Sequence, residues 1–209
     1  MYRQKGVQQN PQHSGEELYN DHLMYLINTE AEDIKVLPTH WLIIPAPNIA
    51  EEASLARVRY YFSVTPAPDA SRLPKIIAKK SWSFSFITKG KCHRIQLKPE
   101  AYQQFDTAPN EDFKQLDIVI LHLLFMEKIP GIPKEEKVSS PFIQYERSVS
   151  NCLLKVSRDE AVLAIITNGV SIKRIKEVCY SGHVFPQKST YFYPKTICGF
   201  LFASIQENE

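Results

Sequence analysis

The sequence predicts an α+β (mixed α/β) fold, with β-hairpins in the first half, β-α alternation in the second, and helices packed on a mixed sheet. Two observations carry this expectation. In SWSFSFITKGKCHRIQLKP, Trp82, Phe84 and Phe86 alternate with serines, KGK turns the chain, and Cys92, Arg94 and Gln96 then alternate with Ile95 and Leu97. That is the period of a hairpin with one buried face. Further on, FIQYER, SVSNCLLKVSR, DEAVLAIITN and SIKRIKEVCYSG alternate strand-like and helix-like stretches through residues 142–182.

Taken in order, residues 1–20 are polar, rich in Gln and Asn, and show neither helical nor strand periodicity. They read as a linker or flexible start to an α+β region over 21–209, with sub-domains 21–110 and 111–209. HLMYLIN (22–28) and IKVLPTHWLIIP (34–45), joined by the acidic turn TEAED, suit a β-hairpin. Pro38 cannot donate to a ladder, so it marks an edge, a bulge or a strand end. EEASLARVRYYF begins with helix formers and ends in β formers, a short helix leading into the strand RYYFSVT. DASRLPKIIAKK reads as a helix around Pro74, with Asp69 or Ser71 placed to cap it. DFKQLDIVILHLLFMEKIPGIP (112–133) is apolar nearly all round, a buried helix stopped by Pro130 and Gly131. KTICGFLFASI closes the chain as a last strand.

Composition narrows the function classes. The chain has 209 residues, 44% of them hydrophobic, enough for a substantial core. With 25 basic and 23 acidic residues its net charge is +2, which gives no global field of the kind nucleic-acid or membrane-surface binders carry. Nucleic acid and membrane are therefore not expected partners. The polar start has no signal-peptide core, and no stretch approaches the ~18 apolar residues of a spanning helix, so a cytoplasmic location is expected. Cys92, Cys152, Cys179 and Cys198 are scattered and read as reduced, mostly buried thiols. The six histidines fall at no metal-ligand spacing, so no metal is expected. Glycine-rich phosphate loops and the G-x-S-x-G nucleophile motif do not occur.

Three places hold site chemistry. The strongest is PQKSTYFYPK (186–195), together with the helix before it. Between Ser171 and Lys195 lie Lys173, Arg174, Lys176, Lys188 and Lys195 against the single acid Glu177, the largest local charge imbalance in the chain. Lys188 and Lys195 suit an anion, and the hydroxyls of Ser189, Thr190, Tyr191 and Tyr193 suit its oxygens. The same alternation also fits a half-buried strand with lysines as solvated flanks. The second place is His40, a polar histidine after the L-P-T turn, placed for acid-base or hydrogen-bonding work or for a structural role. The third pairs Asp117 with His122 on one helix, where five residues put the two on different faces and make no dyad.

VLPTHWLI, LDIVILHLLFMEKIPGI and GHVFPQKSTYFYPK, in this order and spacing, resemble the carboxy-terminal half of domain-of-unknown-function family 1015, and NPQHSGEELYNDHLMYLINTEAEDIKVLPTH resembles the segment linking that family's halves. The resemblance covers nearly the whole chain. It implies a protein normally about twice as long, whose amino-terminal half carries an Asp-Gly-His-His-Arg type motif similar to the nucleotide-binding cores of ParB-like and sulfiredoxin-like proteins, some of whose relatives are free-serine kinases. On that resemblance the chain is expected to begin just after the motif and to lack the nucleotide pocket. It would hold no cofactor itself, with a nucleotide and phosphotransferase activity belonging to the full-length protein. Where the family tends to have Arg after the histidine, this chain has Trp41.

Two readings follow. In the first, the chain is the carboxy-terminal part of a nucleotide-utilising, small-molecule-kinase-like protein, and PQKSTYFYPK binds a small anionic ligand. In the second it is a non-catalytic interaction module that docks the missing amino-terminal half or a second copy of itself.

Overall fold

A computed structural model describes residues 2–21, 23–30, 34–45, 51–78, 80–104, 115–123, 142–183, 185, 190–195, 199 and 201–202. The chain falls into two compact units, Lys35–Tyr193 and a second made of Met1–Ile34 with Pro194–Glu209.

In the larger unit, the strands β2 (His40–Ile43), β3 (Phe62–Pro66), β4 (Ser83–Thr88), β5 (Lys91–Leu97), β6 (Ile143–Glu146) and β7 (Leu163–Ile166) form one sheet in the order β3-β5-β4-β7-β2-β6. Every hydrogen-bonded pair in it is antiparallel. β1 (Lys35–Leu37) pairs separately with β8 (Tyr191–Tyr193), also antiparallel. The helices among the described residues are α1 (Tyr2–Gln9), α2 (Glu51–Tyr61), α3 (Leu73–Ile77), α4 (Pro99–Tyr102), α5 (Asp117–Leu121), α6 (Val149–Ser157) and α7 (Ile172–Tyr180). This is the expected α+β fold. The hairpin is β4–β5, turned at Lys89 and Gly90, where Gly90 takes a φ of 70° that suits a residue without a Cβ. The β-α alternation is β6–α6–β7–α7. β2 lies between β6 and β7 and runs antiparallel to both, so those two are parallel and α6 is their crossover.

The core has two faces. Trp41, Ile43, Phe84, Phe86, Leu163 and Ile165 meet α2, α5 and Val178 of α7 on one side. Leu42, Ile87, Ala164 and Ile166 meet Leu73 and Ile77 of α3 and Cys152 and Val156 of α6 on the other. Each large apolar side chain buried this way contributes about 1.5–3 kcal/mol. β4 therefore departs from the expected hairpin with one buried face, because all six of its residues are buried. Ser83 and Ser85 share the side of Ile87, and period 2 turns them under α3 and α6 rather than toward water. A short serine lets a helix approach closely, so a serine-lined strand face is as compatible with packing as with solvent.

Other expectations are corrected. HLMYLIN is not a strand: residues 23–28 have no regular structure, and Leu23, Met24, Tyr25, Leu26 and Ile27 are exposed, Leu26 at 83%. The run is apolar without alternation, so pairing would give it no single face to bury. The polar start carries α1, and a tight turn around Glu17 follows it. Pro38 ends β1, and the chain re-enters the large sheet as β2. α3 starts after Arg72, which holds the cap position without a side-chain cap bond, in place of the expected Asp69 or Ser71. Of the expected helix over 112–133, Asp117–Leu121 is helical, with Ile118 to Leu121 buried; residues 112–114 and 124–133 lie outside the described residues. Most of KTICGFLFASI also lies outside them, and Gly199, Leu201 and Phe202 are not in a strand. Cys152 is buried, Cys92 is half-buried and Cys179 is exposed, all three as free thiols. Among the described residues no helix is long and apolar enough to cross a membrane.

Candidate functional site

The site grows from the turn between β7 and α7. Thr167 donates its backbone N–H to His40 Nδ1 at 3.3 Å and its hydroxyl to the Thr39 carbonyl at 3.1 Å. Asn168 Nδ2 donates to the carbonyls of Ile77 at 3.1 Å and Lys80 at 3.3 Å and reaches Asp117 Oδ2 at 3.4 Å. Gly169 passes so close to β1 that a Cβ there would lie 3.1 Å from the Val36 carbonyl oxygen. Ser171 then caps α7, its Oγ accepting from Arg174 N at 3.2 Å. The turn is thus pinned to β1, β2, the end of α3 and the start of α5.

Across from it stands Trp82, at a φ of 56°, a left-handed backbone that costs a bulky residue energy and needs its surroundings to hold it. Its N–H donates to Asp117 Oδ1 at 2.6 Å, its indole N–H donates to the Gln115 carbonyl at 3.1 Å, and its ring stacks on Tyr102 with centroids 4.5 Å apart. Between these elements lies an open cleft of about 620 Å³, walled by Ser81, Trp82, Gln115, Asp117, Ser171 and Arg174 among others. Behind Asp117 a void of about 10 Å³, the size of one water, touches Thr39, Thr167 and Asn168.

The electrostatics of the cleft have two poles. Burial pushes the Asp117 carboxyl above its usual range, outweighing the Trp82 and Asn168 hydrogen bonds that favour its charged form. No cation pairs with it among the described residues. At the other pole, the first turn of α7 carries the positive end of its dipole and N–H groups with no intrahelical acceptor. Arg174 stands there, 2.9 Å from Glu177. Such a cleft is equipped to take a small molecule with an anionic group at one end and a hydrogen-bond donor at the other. Among the described residues no group of three or more His, Cys, Asp or Glu is arranged to hold a metal.

Of the residues the sequence singled out, Asp117 and Arg174 line the cleft, and the described ones among His40, Thr190, Tyr191, Tyr193 and Lys195 are not in its lining. His40 is buried at 2% exposure, and burial drives its pKa down to about 4 even though the Glu146 carboxylate favours the charged ring. It is a neutral hydrogen-bond acceptor that ties β2 to the end of β7. Tyr191 is half-buried in β8, with the Arg147 guanidinium 3.6 Å from its ring centre. Thr190 is half-buried, Tyr193 is exposed, and Lys195 is exposed in the smaller unit. Lys188 and Ser189 lie outside the described residues. His122 packs edge-on against Trp41, with centroids 4.8 Å apart. Sequence reasoning passed over Trp82, Asn168 and the burial of Asp117, because the cleft joins segments that are far apart in the chain, from Ser81 to Arg174. The local signal was Asn168-Gly169 followed by Ser171 at a helix start, a turn-and-cap pattern that marks helix entry anywhere.

Fold and cleft together define an α+β protein with an open cleft beside the start of β4 and the end of β7. The chain belongs to the family described as protein of unknown function (DUF1015), which matches residues 1–119. No curated protein matches it. Among solved structures it is similar to a free serine kinase in complex with AMP, at 14% identity and a TM-score of 0.46, covering 79% of this chain and 56% of the kinase. It is also similar to a conserved hypothetical protein from Pyrococcus furiosus, at 13% identity and a TM-score of 0.48, with 79% and 59% covered. A mutant free serine kinase in complex with ADP aligns at 13% identity and a TM-score of 0.43, with 79% and 56% covered. The chain therefore spans 56–59% of the length of these structures.

Proposed function

We propose that the chain is the ligand-binding part of a nucleotide-utilising, small-molecule-kinase-like protein, and that its cleft takes a small anionic molecule. The observation that carries the reading is the pairing, across one cleft, of the Ser171-capped start of α7 and Arg174 with the buried carboxyl of Asp117. A phosphate or carboxylate at the α7 end would be met by backbone N–H groups and the guanidinium, while a donor group of the same ligand would meet Asp117. In a longer protein the reaction served would be phosphoryl transfer, with the nucleotide bound mainly outside this chain. Lys188, Ser189, Thr190, Tyr191, Tyr193 and Lys195 remain part of the proposal as a second anion-facing stretch, and His40 as a structural support.

Calorimetric titration with AMP, ADP and inorganic phosphate tests the reading. Binding to the wild-type chain that weakens about tenfold in Arg174→Ala would support the cleft. Weakening confined to a Lys188→Ala, Lys195→Ala double variant would move the anion site to the 186–195 stretch. No binding by any of the three would overturn the reading for this chain.

A second reading, an interaction module, is favoured by the exposed run Leu23, Met24, Tyr25, Leu26 and Ile27. Light scattering that finds a dimer, dispersed to monomer by Leu23→Ser with Leu26→Ser, would support it. A monomer at all concentrations, with no other protein bound, would count against it.

A further inference from the structure

The turn after α1 holds a histidine in an arrangement that the cleft does not use. Glu17 is buried at 9% exposure and is surrounded by donors: Ser14 N at 2.6 Å, Gly15 N and Asn20 Nδ2 at 3.0 Å, Ser14 Oγ at 3.1 Å and Asn10 Nδ2 at 3.3 Å. These bonds, the Ser14 backbone N–H first among them, hold its pKa down to about 2, so it is a carboxylate at every ordinary pH. His13 Nδ1 lies 3.0 Å from Glu17 Oε2 and 2.9 Å from the Tyr19 hydroxyl. The Tyr19 ring stacks on the imidazole with centroids 5.8 Å apart.

The charge on Glu17 selects the tautomer. A lone pair on Nδ1 would face a carboxylate oxygen at 3.0 Å, whereas an N–H there donates to it. The neutral ring therefore carries its hydrogen on Nδ1, and the lone pair sits on Nε2, at the opposite edge. Every hydrogen bond of His13 is made at Nδ1, the side chain is 27% exposed, and Nε2 has no partner among the described residues. Two other described histidines differ: His40 is buried with its Nδ1 accepting from the backbone, and His122 lies edge-on to Trp41.

We infer that His13 is a proton-accepting site, an imidazole oriented by Glu17 and Tyr19 whose Nε2 takes the proton of a hydroxyl group on a ligand bound beside the first turn of the chain. An anionic partner on the far nitrogen fixes the ring's orientation and tautomer, a role a carboxylate plays behind a general-base histidine. In the step itself the O–H bond breaks and the N–H bond forms on Nε2. The electron pair stays on the oxygen, and the Nδ1 hydrogen remains on His13. The site lies outside the cleft residues and stands whether or not the cleft binds an anion.

Long-range proton–nitrogen NMR spectra of the intact chain at pH 8 report the tautomer directly. The expected result is Nδ1 protonated and Nε2 bare for His13. An Nε2-protonated ring, with the Tyr19 hydroxyl donating to Nδ1, would overturn the inference. Carbethoxylation by diethyl pyrocarbonate, followed residue by residue by mass spectrometry, is the second readout. His13 is expected to react faster than His93 and His183, and about tenfold more slowly in Glu17→Gln. Equal rates for His13 in wild type and variant, with the variant folded by circular dichroism, would reduce Glu17 to a loop anchor and overturn the proposal.

Discussion

At the residue scale, two buried titratable groups give the larger unit opposite responses to pH. His40 has its pKa lowered from 6.5 to about 4 by burial. Its neutral form is the one the fold holds, so its contribution is complete above pH 6.5 and is lost as pH falls toward 4, when the unfolded chain takes the proton first. The loss is about 3 kcal/mol over that window. Thermal denaturation of wild type and His40→Gln should show a gap that closes between pH 7 and pH 4.5; a constant gap would mean that the ring is not held neutral. Asp117 behaves in reverse. Its pKa is raised above 3.8, so what it contributes is present below that value and is lost as pH rises through the folded-state pKa. Asp117→Asn should therefore gain on the wild type as pH rises from 3.8, on top of a pH-independent loss, because an amide NH2 replaces one of the two oxygens that accept from Trp82 and Asn168. A difference that does not move with pH would mean that the carboxyl is not held above its ordinary range. A carboxylate kept at a stability cost beside a strained Trp82 fits a residue retained for a ligand.

At the element scale, the starts of α6 and α7 are each set by a single hydroxyl. Ser148 accepts from Asn151 N at 3.3 Å and Ser171 from Arg174 N at 3.2 Å. Ser148→Ala and Ser171→Ala should each cost about 1 kcal/mol in urea unfolding. Only Ser171→Ala should also weaken anion binding, since of these two helices α7 alone opens onto the cleft; equal effects of both on binding would argue for a general loosening. Much at this scale was legible. The helix 51–61 running into a strand, the β4–β5 turn, α6, α7 and the break at Pro38 all follow from periodicity, caps and proline chemistry, which act within a few residues. Where the reading failed, the deciding partner was distant. HLMYLIN has strand composition and no alternation to seat it, and Ser83 and Ser85 looked solvent-facing because period 2 names two faces without saying what covers each. The cleft was illegible for the same reason. The left-handed φ of Trp82 and the bond from its N–H to Asp117 exist only once α5 stands against the start of β4.

At the scale of the whole molecule, the two units differ in what holds them. In Lys35–Tyr193, β2, β4 and β7 are buried on both faces, flanked by other strands and covered by helices, so their amides are released only when the sheet comes apart. In Met1–Ile34, Glu17 and Ile34 are the buried residues among those described, and the segment is held by α1, a short helical turn and the hydrogen bonds that converge on Glu17. Polar bonds of that kind contribute about 1 kcal/mol each and leave the segment without an apolar core of its own. Native-state hydrogen exchange should therefore show two levels. Amides of Trp41 to Ile43, Phe84 to Ile87 and Ala164 to Ile166 should exchange with the global unfolding free energy and respond fully to urea. Amides of residues 2–20 should exchange through local openings with little urea dependence, and Glu17→Gln should speed them without touching the sheet. If the amides of 2–20 instead track the central strands, the two units unfold together and the first segment is a structural part of the domain.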